Sequence, residues 1–321
     1  MPPKPLVYNG TLVERIDLTD ALSLFRIQPD DPPKRDEQGA WFTPGQYCVI
    51  GLNNEEKPEL GSVRRSMSIA SAPEHTGPIE FYIRFVAKPE SENPLTHLLW
   101  KLKAGDRMYM RPVAAGVFTV PETIGADDPR LRVMVAAGTG SAPFVSMVRS
   151  ELRRNPKADL SKWVLLHGAS YAADLGHRDE LLKMVQDHGL KYWGTVSRPK
   201  DSAGWTGDTG RVESFFEPDK LAELERRLGL APGGFGPSAA AVFICGLQGT
   251  IGSTITSLVD RGFVPDQRRM REALGVPAGH PAALFYEQYD TEPVINIKDP
   301  TVIEPLRERM AAALAKVSGA A

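Results

Sequence analysis

The chain has 321 residues, which suits two domains of ordinary size, and its apolar fraction of 42% and charged fraction of 24% are normal for a globular protein. A formal net charge of −2 excludes a whole-chain field that would draw the protein to nucleic acid or to a membrane surface. The two cysteines, Cys48 and Cys245, are too few for a cysteine-ligated iron–sulfur cluster or a CxxC zinc site, and no metal site is predicted.

The chain carries no segment that favours a membrane or an export route. No apolar run approaches the length that spans a bilayer, and the opening residues lack the apolar core of a signal peptide. We therefore expect no membrane insertion. A cytoplasmic, reduced compartment is the default expectation for a chain with so few cysteines.

The first part of the chain predicts β-structure. Short apolar or alternating segments, each closed by turn residues, are typical of an antiparallel barrel. A helical stretch, Pro94–Trp100, interrupts them and places Leu95, Leu98 and Leu99 on one face. Pro121–Arg130 carries Pro, Gly and several acids and is the predicted linker. The predicted strands are Leu12–Ile16, Ala21–Ile27, Gln46–Leu52, Arg65–Ala70, Ile79–Val86, Arg107–Arg111 and Gly116–Val120.

From Leu131 onward, apolar strands alternate with helical patterns, which predicts a doubly wound parallel sheet. Beyond Tyr289, the pattern predicts a strand-like piece and an Ala-rich helix, Ile303–Lys316. The predicted strands of the sheet are Val133–Ala137, Trp163–His167, Tyr192–Val196 and Ala240–Cys245. The predicted helices are Ser146–Arg154, Asp179–Asp187, Asp219–Leu228 and Ile251–Arg261.

One strand-to-helix connection has the composition of a phosphate site. The apolar run Val133–Ala137 continues directly into Gly138-Thr139-Gly140, and Ser141-Ala142-Pro143 opens the next helix. Such a connection points several backbone N–H groups at one spot, where the positive end of the helix dipole favours an anion. Pro143 suits a first helical turn, but it stands where the Rossmann fingerprint has its third Gly or Ala. By itself, the loop is equally consistent with an ordinary tight connection.

The loop is one of five segments that occur in a characteristic order. They are Arg65-Ser66-Met67-Ser68-Ile69-Ala70-Ser71; Phe81–Arg84 with Pro94–Thr96; Gly138–Pro143; Thr195–Arg198 with Gly210-Arg211; and Phe243–Gly246. Over roughly residues 10–290 the chain resembles the ferredoxin–NADP⁺ reductase family, especially its bacterial branch. The resemblance implies an N-terminal antiparallel Greek-key β-barrel that binds flavin, in residues 1–127. It also implies a C-terminal doubly wound α/β domain that binds NADP(H), in residues 128–290, with 291–321 as a C-terminal extension.

The first segment resembles the family's flavin motif R-x-Y-S-x-x-S. The resemblance implies that Arg65 pairs with the flavin pyrophosphate, for which a guanidinium offers a planar fork, and that the serine of the motif lies against the isoalloxazine. Met67 stands where the family usually stacks a tyrosine ring on the flavin; a thioether can cover a ring face but cannot donate a hydrogen bond. The flavin-binding residues implied by this segment are Arg65, Ser66, Met67, Ser68 and Ser71.

Two further segments resemble parts of the flavin site. Phe81–Arg84 resembles the next flavin-contacting strand, which implies contacts from Tyr82 and Ile83. In Pro94-Leu95-Thr96 the resemblance implies that Thr96 donates to the flavin phosphates at a helix start. Taken alone, both segments are also consistent with a plain core strand and a helix cap.

The nucleotide-binding residues implied by the resemblance lie further along the chain. The loop matches the pattern G-T-G-x-A-P, which implies pyridine-nucleotide contacts from Gly138, Thr139, Gly140 and Pro143. Ser197, Arg198 and Arg211 resemble the site for the 2′-phosphate of NADP(H), although exposed arginines in a loop are an equal alternative. The family pattern H-G-x-R here ends in Ser170, so one cation fewer should weaken NADPH binding and favour some use of NADH.

The remaining segments resemble the reacting end of the site. Cys245 and Gly246 match the family's C-G pair, which implies a thiol near the nicotinamide C4 and room for the ring, although a buried small hydrophobe is a compatible interpretation. Leu284–Tyr289 resembles the bacterial segment that closes on the flavin, with Tyr289 stacked on the ring and Glu287 as a polar contact or proton relay. The extension beyond it could reach over the adenosine half of FAD or pack on the surface, and we favour packing.

The resemblance implies a flavoprotein oxidoreductase with FAD and NADP(H) as cofactors. It would transfer hydride between NADP(H) and FAD, and single electrons between FAD and ferredoxin or flavodoxin. Such partners are acidic, so a basic rim is expected. Two alternatives stay open: a stand-alone NAD(P)H reductase component of an oxygenase system, and a non-catalytic flavin-binding module. The candidate rim residues, which also suit a plain solvated face, are Lys101, Lys103, Arg107 and Arg111.

Overall fold

A computed structural model describes residues 5–289 and 291–319, with side chains up to residue 316. The chain divides into two compact units. The first unit comprises Met1–Glu122 and Ser141–Ala158, and the second comprises Thr123–Gly140 and Asp159–Ala321. The N-terminal barrel therefore includes a helix that comes from much later in the sequence.

The first unit contains a six-stranded antiparallel sheet in the order β4-β3-β6-β1-β2-β5. A bridge between Ile69 and Phe81, with the Ala70 N–H donating to the Glu80 carbonyl at 2.9 Å, links the end of β4 to β5. The sheet thereby curls into a barrel around a core that includes Phe25, and the N-terminal barrel prediction is confirmed. The strands are β1 Gly10–Thr19, β2 Leu22–Pro29, β3 Tyr47–Asn53, β4 Ser62–Ser68, β5 Ile79–Arg84 and β6 Arg107–Met110.

The predicted strand Gly116–Val120 is wrong. After β6, pairing with β3 continues only as a single bridge between Ala115 and Tyr47. Gly116 then takes a φ of +110°, and the Thr119 N–H donates to the Val117 carbonyl in a tight turn. The β-branched residues produced a strand pattern, but a positive φ and an exposed Val117 leave the segment without a ladder partner.

In or next to the first unit, the described residues form the α-helices α1 Leu95–Leu99, α2 Val120–Thr123 and α3 Ala142–Arg154. Helix α3 is tied to the barrel by polar contacts. Ser146 Oγ donates to the Ser71 carbonyl at 2.7 Å, and Arg149 Nη1 donates to the Ala70 carbonyl at 2.9 Å. Arg149 also pairs with the buried Glu80 at 2.7 Å. These contacts explain why α3 clusters with the barrel.

The second unit contains a six-stranded parallel sheet in the order β10-β9-β8-β7-β11-β12. All seven residues of β11 are buried, as expected for a strand covered on both faces. Chain order reverses at β7, the switch point at which ligands bind in open α/β sheets. The doubly wound prediction is confirmed. The strands are β7 Leu131–Ala137, β8 Trp163–Ala169, β9 Lys191–Val196, β10 Asp208–Thr209, β11 Ala240–Gly246 and β12 Leu284–Gln288.

The helices of this unit are α4 Arg178–His188, α5 Pro218–Leu228, α6 Gln248–Leu258, α7 Arg268–Ala273 and α8 Pro300–Gly319. Gly189 and Gly229 end α4 and α5 in the left-handed conformation that usually closes helices. Helix α7 and the short strand β10 are absent from the sequence prediction because neither has a long enough periodic pattern.

The C-terminal extension packs on the second unit. Ile303, Leu306 and Met310 of α8 are buried in its core, and Arg309 pairs with Asp260 at 2.7 Å. The strand-like piece predicted after Tyr289 is wrong for the described residues 291–299, which form bends and turns. The apolar pair Val294-Ile295 packs against α6 instead of joining a ladder: the Val294 carbonyl oxygen would lie 2.4 Å from a Cβ at Gly252.

Candidate active site

The glycine loop after β7 is shaped by close approach of the backbone. Gly138–Ser141 forms one 3₁₀ turn before α3 begins. Gly138 has a φ of +56°, and apart from its chain neighbours no heavy atom of the described residues lies within 4 Å of the position that a Cβ would take. A Cβ on Gly140 would lie 2.1 Å from the Cys245 carbonyl oxygen, so only glycine fits there. The loop therefore lies directly against the end of β11.

The start of α3 carries an unused hydroxyl. Pro143 occupies its first turn, and no side-chain hydrogen bond caps the helix. The Ser141 hydroxyl is completely buried and has no partner among the described residues. An unused buried hydroxyl at the start of a helix, where the helix dipole is positive, suits an anion such as a phosphate.

A buried histidine supports this loop from β8. His167 is fully buried, and its Nε2 lies 3.1 Å from the Gly138 carbonyl oxygen. Burial lowers the pKa of His167 to about 4, so the ring is neutral near pH 7. The network assigns the proton to Nε2, which donates to Gly138, while Nδ1 accepts from the Tyr192 hydroxyl at 3.4 Å. The sequence prediction included His167 only as the first position of a pattern, although an apolar strand ending in histidine signals a special position.

Cys245 and Glu287 lie side by side where the parallel strands end. Cys245 pairs in register with Ala136 of β7 and with Glu287 of β12. Its thiol is fully buried, and burial, together with the nearby Glu287 charge, raises the pKa of the thiol well above its usual value, although a hydrogen bond with the Tyr289 side chain acts in the opposite direction. The group is therefore a neutral thiol, and not a thiolate nucleophile.

Tyr289 closes the same end of the sheet. Its N–H donates to the Gly246 carbonyl at 3.2 Å, and its hydroxyl donates to the Thr139 carbonyl at 3.4 Å. The exposed fraction of Tyr289 is 42%, which leaves much of the ring open to a ligand. The second unit thus brings the glycine loop, Cys245-Gly246, Glu287 and Tyr289 together at the carboxyl ends of β7, β11 and β12.

A second group of predicted residues gathers at the ends of β8 to β10. The Ser197 N–H donates to the Ala169 carbonyl and the Arg198 N–H to the Ser170 carbonyl, both at 3.0 Å. Arg211 follows Gly210, whose N–H donates to the Val196 carbonyl at 2.9 Å. Both arginines are exposed, and Arg198 Nη1 donates to the Tyr171 hydroxyl at 2.5 Å. Two cations and a serine thus lie at one edge of the sheet.

The predicted flavin motif lies on β4. Arg65 and Ser66 are exposed, and Arg65 Nη1 donates to the Arg64 carbonyl at 2.8 Å. Met67 is half-buried against the barrel core, a contact that accounts for an apolar residue at this position. Ser68 is buried. Arg65 and Ser66, the two positions of this motif that face solvent, are therefore available to a ligand.

Ser71 forms hydrogen bonds within the first unit. Its Oγ accepts the Glu80 N–H at 2.7 Å, and its carbonyl accepts the Ser146 hydroxyl at 2.7 Å. Both bonds are buried, so Ser71 joins β5 and α3 to the end of the flavin-like segment. A ligand contact from this hydroxyl would share the oxygen with a structural bond.

The other predicted flavin contacts are buried. Tyr82 and Ile83 have exposed fractions of 4% and 3% and lie in apolar clusters of the barrel. Thr96 Oγ1 accepts the Val86 N–H at 3.3 Å, a bond that does not use the hydroxyl proton. The structure thus brings Arg65 and Ser66 to the surface and keeps the side chains of Tyr82 and Ile83 in the packing.

The four candidate rim cations differ in pairing. Lys101 pairs with Glu56 at 2.5 Å, and Arg107 forms a bidentate ion pair with Asp30. Their charges are therefore largely cancelled. Lys103 and Arg111 are exposed. Among the residues whose structure is described, no helix combines the length and apolar character needed to cross a membrane.

Known proteins with a similar sequence place the chain in a family. Residues 134–254 match the family described as oxidoreductase NAD-binding domain. The chain is 33% identical over 232 residues to ferredoxin–NADP reductase B of Sorangium cellulosum, covering 72% of this chain and 80% of that protein. It is 28% identical over 256 residues to flavodoxin/ferredoxin–NADP reductase of Rhodobacter capsulatus, covering 76% and 83%.

Solved structures agree in fold. The ferredoxin NADP⁺ reductase of Neisseria gonorrhoeae, solved with bound FAD and NADP, superimposes with a TM-score of 0.65 at 21% identity, covering 88% of this chain and 98% of that chain. An Amycolatopsis cytochrome P450 reductase gives 0.62 at 20% identity, covering 88% and 69%.

A β-barrel followed by a parallel sheet with a glycine loop at its switch point, together with these relatives, defines an oxidoreductase of the flavin–nicotinamide class. The chain belongs to the ferredoxin–NADP⁺ reductase family, as its sequence predicted. It is accordingly an enzyme, a flavin-dependent NAD(P)H oxidoreductase.

Proposed function

We propose that the protein is a ferredoxin/flavodoxin–NADP⁺ reductase that uses FAD and NADP(H). The single observation that carries the proposal is the contact of Gly140 with Cys245, which joins the glycine loop to the residues at the ends of β11 and β12. Relatives named ferredoxin–NADP reductase and flavodoxin/ferredoxin–NADP reductase support the acceptor class. When bound, the flavin would accept hydride from the nicotinamide and release electrons singly.

In this proposal, the second unit binds and orients the nucleotide. The N–H groups of the glycine loop would hold the pyrophosphate, with His167 keeping the Gly138 carbonyl turned inward. Arg198 and Arg211 would bind the 2′-phosphate. Gly246 would admit the nicotinamide ring. Cys245, a neutral thiol next to Glu287, would contact its reacting edge without carrying a charge.

The flavin would be bound by the first unit. The exposed Arg65 and Ser66 are proposed to bind the FAD phosphates, because a guanidinium offers paired donors to phosphate oxygens. Met67, Ser68, Ser71, Tyr82, Ile83 and Thr96 are proposed to line the site, with backbone contacts where their side chains are buried. Tyr289, whose ring is largely open, is proposed to stack on the flavin ring.

The electron acceptor is proposed to be an acidic electron-transfer protein. Lys103 and Arg111 are the better candidates for its rim, since Lys101 and Arg107 already pair with acids. A cytoplasmic location, supported by two buried free thiols, belongs to the same proposal.

The visible spectrum of the purified protein tests this function. We expect a flavin band that bleaches on addition of NADPH, followed by reduction of an added ferredoxin or flavodoxin. Bleaching without onward transfer to either acceptor, but with transfer to an oxygenase component, would favour the stand-alone oxygenase reductase. A yellow protein that responds to neither NADPH nor NADH would identify a flavin-binding module and contradict the proposal.

Arg198→Ala is expected to weaken NADPH binding roughly 10- to 100-fold while NADH changes little, because a hydrogen bond to a charged group is lost only with the 2′-phosphate. Stopped-flow flavin reduction against each nucleotide measures the effect. Arg178→Ala, which removes an exposed arginine stacked on Trp205 in the same unit, is the control. Equal losses for NADPH and NADH would remove Arg198 from the phosphate site.

A further inference from the structure

Arg198 is an exposed side chain with a defined direction. Its guanidinium carbon lies 5.3 Å from the centroid of the Tyr171 ring, and its Nη1 donates to the Tyr171 hydroxyl at 2.5 Å. An exposed arginine normally samples many rotamers, at a cost when a ligand later immobilises it. Here a ring contact and a hydrogen bond act on the same guanidinium, so much of that ordering precedes ligand binding.

Tyr171 is itself held in place by the loops around it. The Asp174 N–H donates to the Tyr171 carbonyl at 3.0 Å in a 3₁₀ turn. Next to it, the Ala172 N–H donates to Ser202 Oγ at 3.1 Å, and that hydroxyl donates to the Arg198 carbonyl at 3.3 Å. The segment that carries Tyr171 and the segment that carries Arg198 are therefore joined at both their backbones and their side chains.

The neighbours of Arg198 at the carboxyl ends of β8 to β10 supply little further positive charge with a set direction. Ser170, the residue before Tyr171, is uncharged. Arg211 has a side chain that is 80% exposed and lies 3.9 Å from Glu213, a loose pairing. Asp201, in the same turn as Arg198, adds a negative charge nearby. Of the two predicted phosphate-binding arginines, Arg198 and Arg211, Arg198 is therefore the one whose direction is set before a phosphate binds.

We propose that Tyr171 is a specificity-determining residue, which positions Arg198 for the 2′-phosphate and so makes the enzyme prefer NADPH to NADH. A guanidinium carries five N–H donors, and the bond to Tyr171 uses one, which leaves the others for a phosphate dianion. Rigidity at Arg198 thus compensates for the cation that Ser170 does not supply. The inference rests on the proposed nucleotide site and adds to it a residue that acts through Arg198.

The test compares 2′,5′-ADP with 5′-AMP by titration calorimetry on the flavin-loaded protein, since the two ligands differ only in the 2′-phosphate. Tyr171→Ala is expected to weaken 2′,5′-ADP roughly 5- to 10-fold and 5′-AMP less than about 2-fold, because an ordered side chain and a cation–π contact are lost. Tyr171→Phe, which keeps the ring, should fall between Tyr171→Ala and the unsubstituted protein. The ratio of KM values for NADPH and NADH should follow the same order, with kcat almost unchanged.

Arg178→Ala, which disrupts the separate arginine–aromatic pair with Trp205, is the matched control and should leave the ligand preference unaltered. Equal weakening of both ligands by Tyr171→Ala, or the same loss of preference in Arg178→Ala, would overturn the inference. So would an unsubstituted protein without preference for 2′,5′-ADP. One further outcome separates the two proposals. If NADPH does not reduce the flavin of the protein, but Tyr171→Ala still loses the preference for 2′,5′-ADP, the proposed function fails and the inference about Tyr171 stands.

Discussion

Gly140→Ala is expected to lower NADPH-dependent flavin reduction by more than about 100-fold while the flavin stays bound. The new methyl group would lie 2.1 Å from the carbonyl oxygen of Cys245 and 2.7 Å from its carbonyl carbon, both backbone atoms that cannot turn aside. Either the glycine loop or the end of β11 must therefore move. A displacement of about 1 Å in a reacting geometry costs about 100-fold in rate, and both segments belong to the proposed nucleotide site.

Stopped-flow reduction by NADPH, with the flavin content measured from the visible spectrum, gives the result. Gly236→Ala is the matched control, because Gly236 precedes β11 at its opposite end and a Cβ there meets open space. We expect that control to reduce its flavin at nearly the unsubstituted rate. Normal reduction in Gly140→Ala would show that the contact between the loop and Cys245 has no part in the reaction.

Glu80→Ala is expected to lower the free energy of unfolding by about 2–3 kcal/mol. The Glu80 carboxylate has an exposed fraction of 5% and binds Arg26 Nε at 2.9 Å and Arg149 Nη1 at 2.7 Å. Its loss leaves two guanidinium groups facing each other across an apolar methyl. Removing one partner of a fully buried pair costs about 3–5 kcal/mol, and the partial exposure of both arginines reduces that figure. Helix α3 loses one of its ionic contacts with the barrel in the same step, while the pair of Arg154 with Glu74 at 2.8 Å remains.

Urea unfolding followed by circular dichroism at constant flavin loading measures the change. Glu14→Ala provides the matched control, since Glu14 pairs with the same Arg26 at 2.6 Å but has a side chain that is 48% exposed. An exposed pair contributes about 0.2–1 kcal/mol, so this variant should unfold close to the unsubstituted midpoint. Similar losses in the two variants would contradict a special role for the buried carboxylate.

Strand and helix assignments follow the sequence where burial is simple. The apolar runs around Val133–Ala137 and Ala240–Cys245 became β7 and β11, because a strand covered on both faces requires apolar side chains throughout. The pattern failed at Gly116–Val120 and after Tyr289. In both places β-branched or apolar residues met a positive φ or a helix surface instead of a neighbouring strand, and no local pattern records which partner a segment finds.

Candidate site residues were predicted from their order along the chain, and the structure adds how they are held. Gly138–Pro143, Cys245, Arg198 and Arg211 lie at the carboxyl ends of the parallel strands, a placement that follows from strand order alone. The neutral state of His167, in contrast, depends on its complete burial, and its ring is oriented by contacts with Gly138 and Tyr192, which are distant in sequence. The roles of such groups arise from their surroundings.

The sequence by itself determined the two-part fold, the family and the location of the glycine loop, because periodicity, glycine placement and short motifs are local properties. Only the tertiary structure decided that α3 joins the barrel, that Lys101 and Arg107 are paired, that Gly140 lies against Cys245 and that Tyr171 contacts Arg198. Each of these depends on a distance or a charge between residues far apart in the chain. Close packing and ion pairing depend on the distance between two residues in space, and the order of residues along the chain does not give that distance.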